Sequence, residues 1–360
     1  MEVEKTKFSI KNLFKNQIMI PITALIVLIL FNLIADPSFF AITFAPNSEG
    51  TMVFGGQLVT IIDYGSELAL LAMGMTLVTA ASGGQDISVG AGIAVAGSMV
   101  LKVVCGGNNR PDHMQAPLIL GVLAGILVAM LIGAFNGILV AYFKIMPMVA
   151  TLIMFTAGRS IASWFNNNEL PIIVDPEFGY IGNTIPGCPI PSPVLVAILC
   201  MVIMALVLKF TNLKLYVQTA GINERSARLN GLNPTVIKFA TYVILGVFVG
   251  IAGFVKVSRL STINYNVIAK DIEMDAILAV ALGGNALGGG KFSIAASVIG
   301  AYVIQFLTMT LYKFDVSSEA LPAYKAIVVI ILVISSAPAV REFFANRAKK
   351  LKKNTAKEVA

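Results

Sequence analysis

Gly288-Gly289-Gly290-Lys291-Phe292-Ser293 is the segment of this 360-residue chain that comes nearest to phosphate chemistry. A glycine-rich loop ending in lysine can cradle phosphates. A P-loop, however, needs Ser or Thr after the lysine to hold Mg²⁺ and a glycine to open the loop. Phe292 stands in the first place and Asn285 in the second, and the segment abuts an apolar run. It reads as a tight turn with Lys291 at the lipid headgroups rather than as a nucleotide site. Metal and nucleophile chemistry lack the residues they need. The single histidine, His113, cannot build a cluster, and Cys105, Cys188 and Cys200 have no metal-ligand spacing and no CxxC. No catalytic residue and no metal site is assigned; one disulfide, Cys105 to Cys188, stays open. Arg159 is the clearest charge inside an apolar stretch. At the membrane centre an arginine costs roughly 2.5–3.5 kcal/mol on insertion scales, and much less if it snorkels. Snorkelling to the outer headgroups and a role in a pathway are both open for it. Asp63, Glu67, Asp86 and Asp275 lie near the ends of apolar stretches and read as solvated or capping groups. Asp86 follows two glycines and precedes a helix, so N-capping is a sufficient explanation.

What must position these residues is a bilayer. Hydrophobic residues make up 57% of the chain and charged residues 12%, about half the charge of a soluble domain. Each crossing needs about 20 largely apolar residues. Uncharged stretches predict an all-α, polytopic membrane protein with about ten crossings. These are 16–35, 65–81, 87–105, 117–142, 147–165, 193–212, 236–257, 272–284, 293–312 and 322–340. The stretch 272–284 is short enough to be re-entrant instead, which is tolerated only where protein or a cavity surrounds it. Gly121 with Gly125, Gly133 with Gly137, and Gly246 with Gly250 predict closely packed helices, because van der Waals contact must hold a bundle together in lipid.

Orientation follows from Lys and Arg bias. With the N-terminus inside and ten crossings, the inner side holds four basic residues before the first span, Lys144, five over 209–238, Lys291 and seven from Arg341 onward, out of 26 in all. The longest outer loop, 166–192, has Glu169, Asp175 and Glu177 and no Lys or Arg. Both termini are therefore expected in the cytoplasm, and the net charge of +7 is an orientation pattern rather than a nucleic-acid stripe. The basic start resembles a signal peptide, but the apolar stretch 17–35 is too long, which makes it an uncleaved anchor. Within the N-terminal segment 1–15, residues 5–15 alternate Lys with Phe8, Ile10, Leu13 and Phe14, as an interfacial helix on an anionic leaflet would; a partner-docking arm is the alternative. Residues 16–340 form a single transmembrane domain, and 341–360 a basic cytoplasmic tail.

The most informative polar segment is 213–234. Asn223 suits an N-cap and Glu224 a first turn. Gly231 suits a left-handed C-terminal position, and Pro234 can start the next helix. The helix of about two turns so defined is too short to be stable alone. It is either held by the bundle or a partner, or a solvated connector. Residues 77–99 and 280–303 also resemble each other weakly, each running from one small-residue helix to another through Gly-Gly turns on the inner side. An internal repeat of the transporter kind and glycine-rich composition both account for this.

Three motifs together are specific. The first is Gly83-Gly84-Gln85-Asp86-Ile87-Ser88-Val89-Gly90. The second is Asn136-Gly137-Ile138-Leu139-Val140-Ala141 followed by Pro147 and Ala150-Thr151-Leu152. The third is Asp275-Ala276-Ile277, then Leu282-Gly283-Gly284, Leu287 and Gly289-Gly290-Lys291. On these the chain resembles, over nearly its whole length, the sugar-type permease subunits of ATP-binding cassette importers.

The resemblance implies that 213–234 holds the coupling helix, docking on a separate ATPase through Asn223, Glu224, Arg225, Ala227, Arg228 and Gly231. The family core Gly-Asn-x-Glu-Ala-Ala-Arg-x-x-Gly is similar to residues 222–231, but Arg225 occupies the place of the usual Glu and Glu224 stands one residue earlier. Gly83, Gly84, Asp86, Gly283, Gly284, Gly289 and Gly290 would form cytoplasmic turns. Asn136, Arg159 and Gln305 are candidates for the translocation pathway; Asn136, Asn264 and Gln305 could hydrogen-bond a sugar or bridge helices. The implied partners are the ATPase, which would hold ATP and Mg²⁺, a second permease chain, identical or paralogous, and an extracytoplasmic solute-binding protein. The chain itself would be a transport subunit in the cell membrane with no bound cofactor, moving a monosaccharide or related polyol. Permeases for branched-chain amino acids, nucleosides or autoinducer remain alternatives, as does an ion-driven secondary transporter, which would need buried mid-span acids that are scarce here. A membrane-embedded enzyme would need a metal site or carboxylate pair that this chain does not easily assemble.

Overall fold

Where the chain is apolar it is helical. The computed structural model describes residues 18–46 and 52–336, and each of the ten predicted spans falls on a helix. In chain order the helices are α1 Met19–Ala35, α2 Gln57–Ser82, α3 Val89–Val104, α4 Leu118–Ala141, α5 Pro147–Phe165, the single turn α6 Pro176–Gly179, α7 Ser192–Phe210, α8 Leu213–Ile222, α9 Glu224–Leu229, α10 Pro234–Leu260, α11 Ile272–Leu282, α12 Ile294–Lys313 and α13 Leu321–Ser336. Two short strands, β1 Thr43–Pro46 and β2 Met52–Gly55, pair antiparallel in the excursion after α1. The expected interfacial segment 1–15 and basic tail 341–360 lie outside the described residues. Cys105, Cys188 and Cys200 are all free.

Six helices, α2, α4, α5, α7, α10 and α12, are long and apolar enough to cross a membrane, and α1, α3 and α13 contribute shorter apolar helices. With 11 residues, α11 rises only about 16 Å at 1.5 Å per residue, roughly half of the hydrocarbon core. The run 261–271 before it has no regular helix. It starts where the carbonyl of Ser261 accepts from Ile173 N–H at 2.9 Å, and α11 ends in a glycine turn at the opposite end of the bundle. The segment 272–284 is thus a short helix preceded by an irregular run that is buried at Ile263, Tyr265, Ile268 and Ala269 and exposed at Asn264, Asn266, Val267, Lys270 and Asp271.

The glycine pairs meet as the packing rule requires. Gly246 of α10 sits so that a Cβ would lie 2.6 Å from the Ala129 carbonyl oxygen of α4, and Gly250 so that one would lie 2.6 Å from Ile126 Cα. Gly133 and Gly137 face Tyr242 and Phe239 of α10 in return, while Gly121 and Gly125 face Val104 and Val100 of α3. α2 is the axis of the bundle. Every residue from Gly65 to Ala81 is buried, and the helix packs against α7, α8, α10, α11 and α12.

Candidate functional site

α2, α10, α11, α12 and α13 line a cavity of about 1200 Å³, larger than the roughly 300–1,000 Å³ of ordinary small-molecule pockets. Its polar lining includes Tyr64, Glu67, Lys256, Asn264, Asp275, Gln305 and Lys325. Gln305, singled out in the sequence by residue type alone, does face this space. Gly65 lets α2 approach it closely: a Cβ there would meet the Tyr302 ring at 2.5 Å and Gln305 Cβ at 3.6 Å.

The acids read as solvated are not. α2 begins at Gln57 rather than near residue 65, which places Asp63 and Glu67 inside the helix. Glu67 is 2% exposed. It accepts from Lys256 Nζ at 2.9 Å and pairs with Arg259, which also donates to Asp63 at 2.8 Å. The Arg259 guanidinium lies 4.1 Å from the centre of the Tyr64 ring, within cation–π range. Asp275 likewise accepts from Lys325 Nζ at 2.7 Å, and Lys325 is 7% exposed. A rule that ends a span at its first acid fails wherever a neighbouring helix supplies the opposite charge. Lys256, Arg259 and Lys325 were therefore missed. The one available signal was spacing, since Asp63 and Glu67 are four apart on one helix and Lys256 and Arg259 three apart on another.

Asp86 is buried as well. Its Oδ1 accepts from Ser88 N–H at 2.8 Å and Ser88 Oγ at 2.6 Å, and its Oδ2 from Asn136 Nδ2 at 3.2 Å. It closes the turn before α3 from within the bundle but does not cap the helix, whose N-cap position is Ser88 with no side-chain cap. The α2–α3 connection folds back until Asp86 N–H reaches Met75 Sδ at 3.5 Å. Asn136, also 2.9 Å from Ser88 Oγ, belongs to this knot and does not line the large cavity. Arg159 neither snorkels to headgroups nor lines the cavity: its Nη1 donates to the carbonyl oxygens of Tyr265 at 2.7 Å and Ile268 at 2.9 Å, pinning the irregular run before α11. Glu273, in the first turn of α11, is buried against Gly90 with one carboxylate oxygen unpartnered.

At the other end of the bundle, local signals behave as their chemistry dictates. Asn223 accepts from Ser226 N–H at 3.1 Å and caps α9. Gly231 has φ +78, with its N–H bonded to Arg228 O and Leu232 N–H to Ala227 O, each at 3.0 Å, a Schellman ending. Glu224 accepts from Lys238 Nζ at 2.5 Å and lies 3.8 Å from Arg228. The hydrogen bond from Lys238 holds the Glu224 carboxyl below its ordinary value, against a smaller desolvation effect, with Lys238, Lys144 and Arg228 adding further pull. The ion pair is thus fully formed at neutral pH and lost only as pH falls through that lowered value. Ala227 anchors α9 in the bundle, whereas Arg225, Arg228 and Leu229 face outward. Asn223→Ala should loosen α9 by about 1 kcal/mol, read as faster hydrogen exchange confined to residues 224–230.

Sequence reasoning left residues 213–222 without a structure, and they form α8. Its end packs into the two glycine turns. Gly221 touches the Ala80 carbonyl so closely that a Cβ would overlap it, and that Cβ would lie 2.8 Å from Gly290 N. Gly290 N–H donates to Ala80 O at 2.9 Å, and Gln85 Nε2 to Leu287 O at 3.3 Å. Gly289, with φ +95, leaves room for a Cβ only 3.2 Å from both Gly221 O and Gly83 Cα. Gly84 packs on Pro147, and Gly283 on the start of α12. The turns around Gly83 and Gly289 thus meet each other and α8 at one place; Gly284, with φ +70, bends the chain out of α11.

Residues 57–337, from α2 through α13, match the family described as "Branched-chain amino acid transport system / permease component". The chain is 32% identical to the fructose import permease protein of Bifidobacterium longum, over 98% of its own length and 96% of that protein. It is 33% identical to the galactofuranose transporter permease protein of Escherichia coli, over 87% of each chain. With the ribose import permease protein of Escherichia coli it shares 32% identity over 86% of its length and 91% of that protein. No solved structure gives a significant match. With the family's match running from the first full-length span to the last helix, and relatives aligned over 86–98% of the chain, the chain belongs to this family of multi-pass membrane permease components.

Proposed function

We propose that the chain is the membrane-spanning subunit of an ATP-driven importer for a monosaccharide or related polyol. The observation that carries the reading is 32% identity along 98% of the chain to a fructose import permease protein, supported by the galactofuranose and ribose relatives. The geometry is consistent with it. A wide cavity is lined by paired charges and amides, the glycine-rich turn holds no P-loop, and a short capped helix stands exposed at one end. In this reading the α9 face is cytoplasmic, and an ATPase subunit carrying Mg²⁺ and ATP docks there through Asn223, Glu224, Arg225, Ala227, Arg228 and Gly231. A second permease chain completes the pathway, and an extracytoplasmic binding protein delivers solute to the opposite face. ATP binding biases the bundle between outward and inward access through its differential affinity for the two states.

Glu273, a buried carboxylate with an unpartnered oxygen, is what an ion-coupled carrier would offer instead. One experiment separates the two. In cells relying on this permease for sugar uptake, transport should survive collapse of the proton gradient and stop when ATP is exhausted. Uptake by vesicles that lack any ATPase, driven by a proton gradient, would overturn the importer reading.

A further inference from the structure

A second, much smaller cavity of about 10 Å³ lies between the folded-back α2–α3 turn, α4 and α10, with room for roughly one water-sized particle. It shares no lining residue with the large cavity. Asp86, Ser88, Asn136 and Tyr242 supply its polar lining, and all four are buried, Asn136 and Tyr242 completely. We propose that this cavity holds a resident monovalent cation of about the size of sodium, with Asp86 supplying the charge and Asn136 and Tyr242 neutral oxygens.

Glu67, Asp63 and Asp275 each meet a Lys or Arg. Asp86, 3% exposed, meets none among the described residues. Glu273 also lacks an ion pair there, but it borders neither cavity. Three donors, Ser88 N–H, Ser88 Oγ and Asn136 Nδ2, point at the two oxygens of Asp86, the arrangement an ionised carboxylate takes. Out of water, that charge needs an opposite charge close by. The same cavity is lined by two orphaned oxygens: Asn136 Oδ1 and Tyr242 Oη make no hydrogen bond among the described residues. A water would answer the orphaned oxygens but not the charge, whereas a cation answers both.

The volume limits which cation. Calcium takes about six to eight oxygens and magnesium keeps several waters, and neither shell fits in this space. One carboxylate among neutral oxygens is balanced by a single positive charge. Bound there, the ion ties the α2–α3 turn to α4 and to α10, the helix that Pro234 starts just beyond α9. It is a fixed part of the fold, whatever drives transport.

The test uses the full-length chain purified in detergent. Choline chloride is replaced stepwise by sodium chloride at constant ionic strength, while bound radioactive sodium and the thermal midpoint are followed. Saturable binding of about one sodium per chain is expected, with the midpoint rising by a few degrees at about a hundredfold excess over the dissociation constant. Tyr242→Phe removes one oxygen and keeps the ring, so the sodium needed for half of that rise should increase by about tenfold, the worth of one contact. Asp86→Asn should abolish the response; if that variant does not fold, Tyr242→Phe and the wild type decide the matter. No bound sodium, or a midpoint indifferent to the exchange of choline for sodium, would mean that the cavity holds water and would overturn the site. Stabilisation by calcium or magnesium but not by sodium would overturn the class of ion. A sodium response unchanged in Tyr242→Phe or in Asp86→Asn would put the ion elsewhere and overturn the assignment of these residues.

Discussion

Gly221→Val should abolish ATP-driven uptake, by tenfold or more, while the ATPase still copurifies with the membrane subunit. The expectation rests on where that glycine sits. Its missing side chain is what allows α8 to lie against the Ala80 carbonyl and Gly290 N. The obstacle is backbone on both sides, so no rotamer change can relieve it, and overpacking of this kind costs about 1–3 kcal/mol or more. The valine must lift the end of α8 away from α2 and from the turn between α11 and α12. α2, α11 and α12 are walls of the cavity, so this contact would join the proposed ATPase-docking segment to the proposed pathway. α9 remains capped by Asn223 and closed by Gly231, which leaves the proposed docking surface in place. Transport should therefore fail without loss of the partner, a combination that general misfolding would not produce. Wild-type uptake per ATP in Gly221→Val would show that force does not travel through this contact.

The second large effect is expected at Arg259. This side chain, 8% exposed, holds both Asp63 and Glu67 and lies over the Tyr64 ring. Arg259→Met keeps much of the apolar stem but leaves Asp63 without its guanidinium partner and Glu67 with Lys256 alone. Breaking a buried pair from one side costs about 3–5 kcal/mol, because the remaining charge is left without compensation. The thermal midpoint of the detergent-solubilised protein should fall sharply, and Asp63→Asn combined with Arg259→Met should recover part of the loss. A midpoint unchanged in Arg259→Met would mean that the cluster is solvated after all. Arg259→Lys should rescue incompletely, since an ammonium cannot span both carboxylates with a planar fork of donors.

Some parts of this architecture were legible because their causes are local. Asn223, Gly231 and Pro234 mark a helix start, a helix end and a new start through bonds to neighbours a few residues away, and the structure places them so. The glycine pairs of α4 and α10 announced close packing, because only small residues let two backbones approach in lipid. Asp63, Glu67 and Asp275 could not be read in the same way. Their partners lie 196, 189 and 50 residues away, and an unpaired acid at a span end looks the same in sequence as a paired one inside it. Asn136 and Arg159 were singled out for being polar in apolar surroundings. That property is shared by a pathway residue and a bridge between helices, and only their hydrogen bonds separate the two.

By itself, then, the amino-acid order determined that this chain enters a membrane as apolar helices, where most of those helices begin and stop, and where its turns fall. Hydrophobic run length, capping groups and glycine conformations act over a few residues and need no knowledge of the rest. Only the tertiary structure decided which acids are neutralised, that α11 is a helix of only 11 residues, that α8 keys into two glycine turns, and which side chains face the cavity. Those outcomes depend on which helices become neighbours, and the energy of a buried charge or a close backbone contact is set by what stands opposite it.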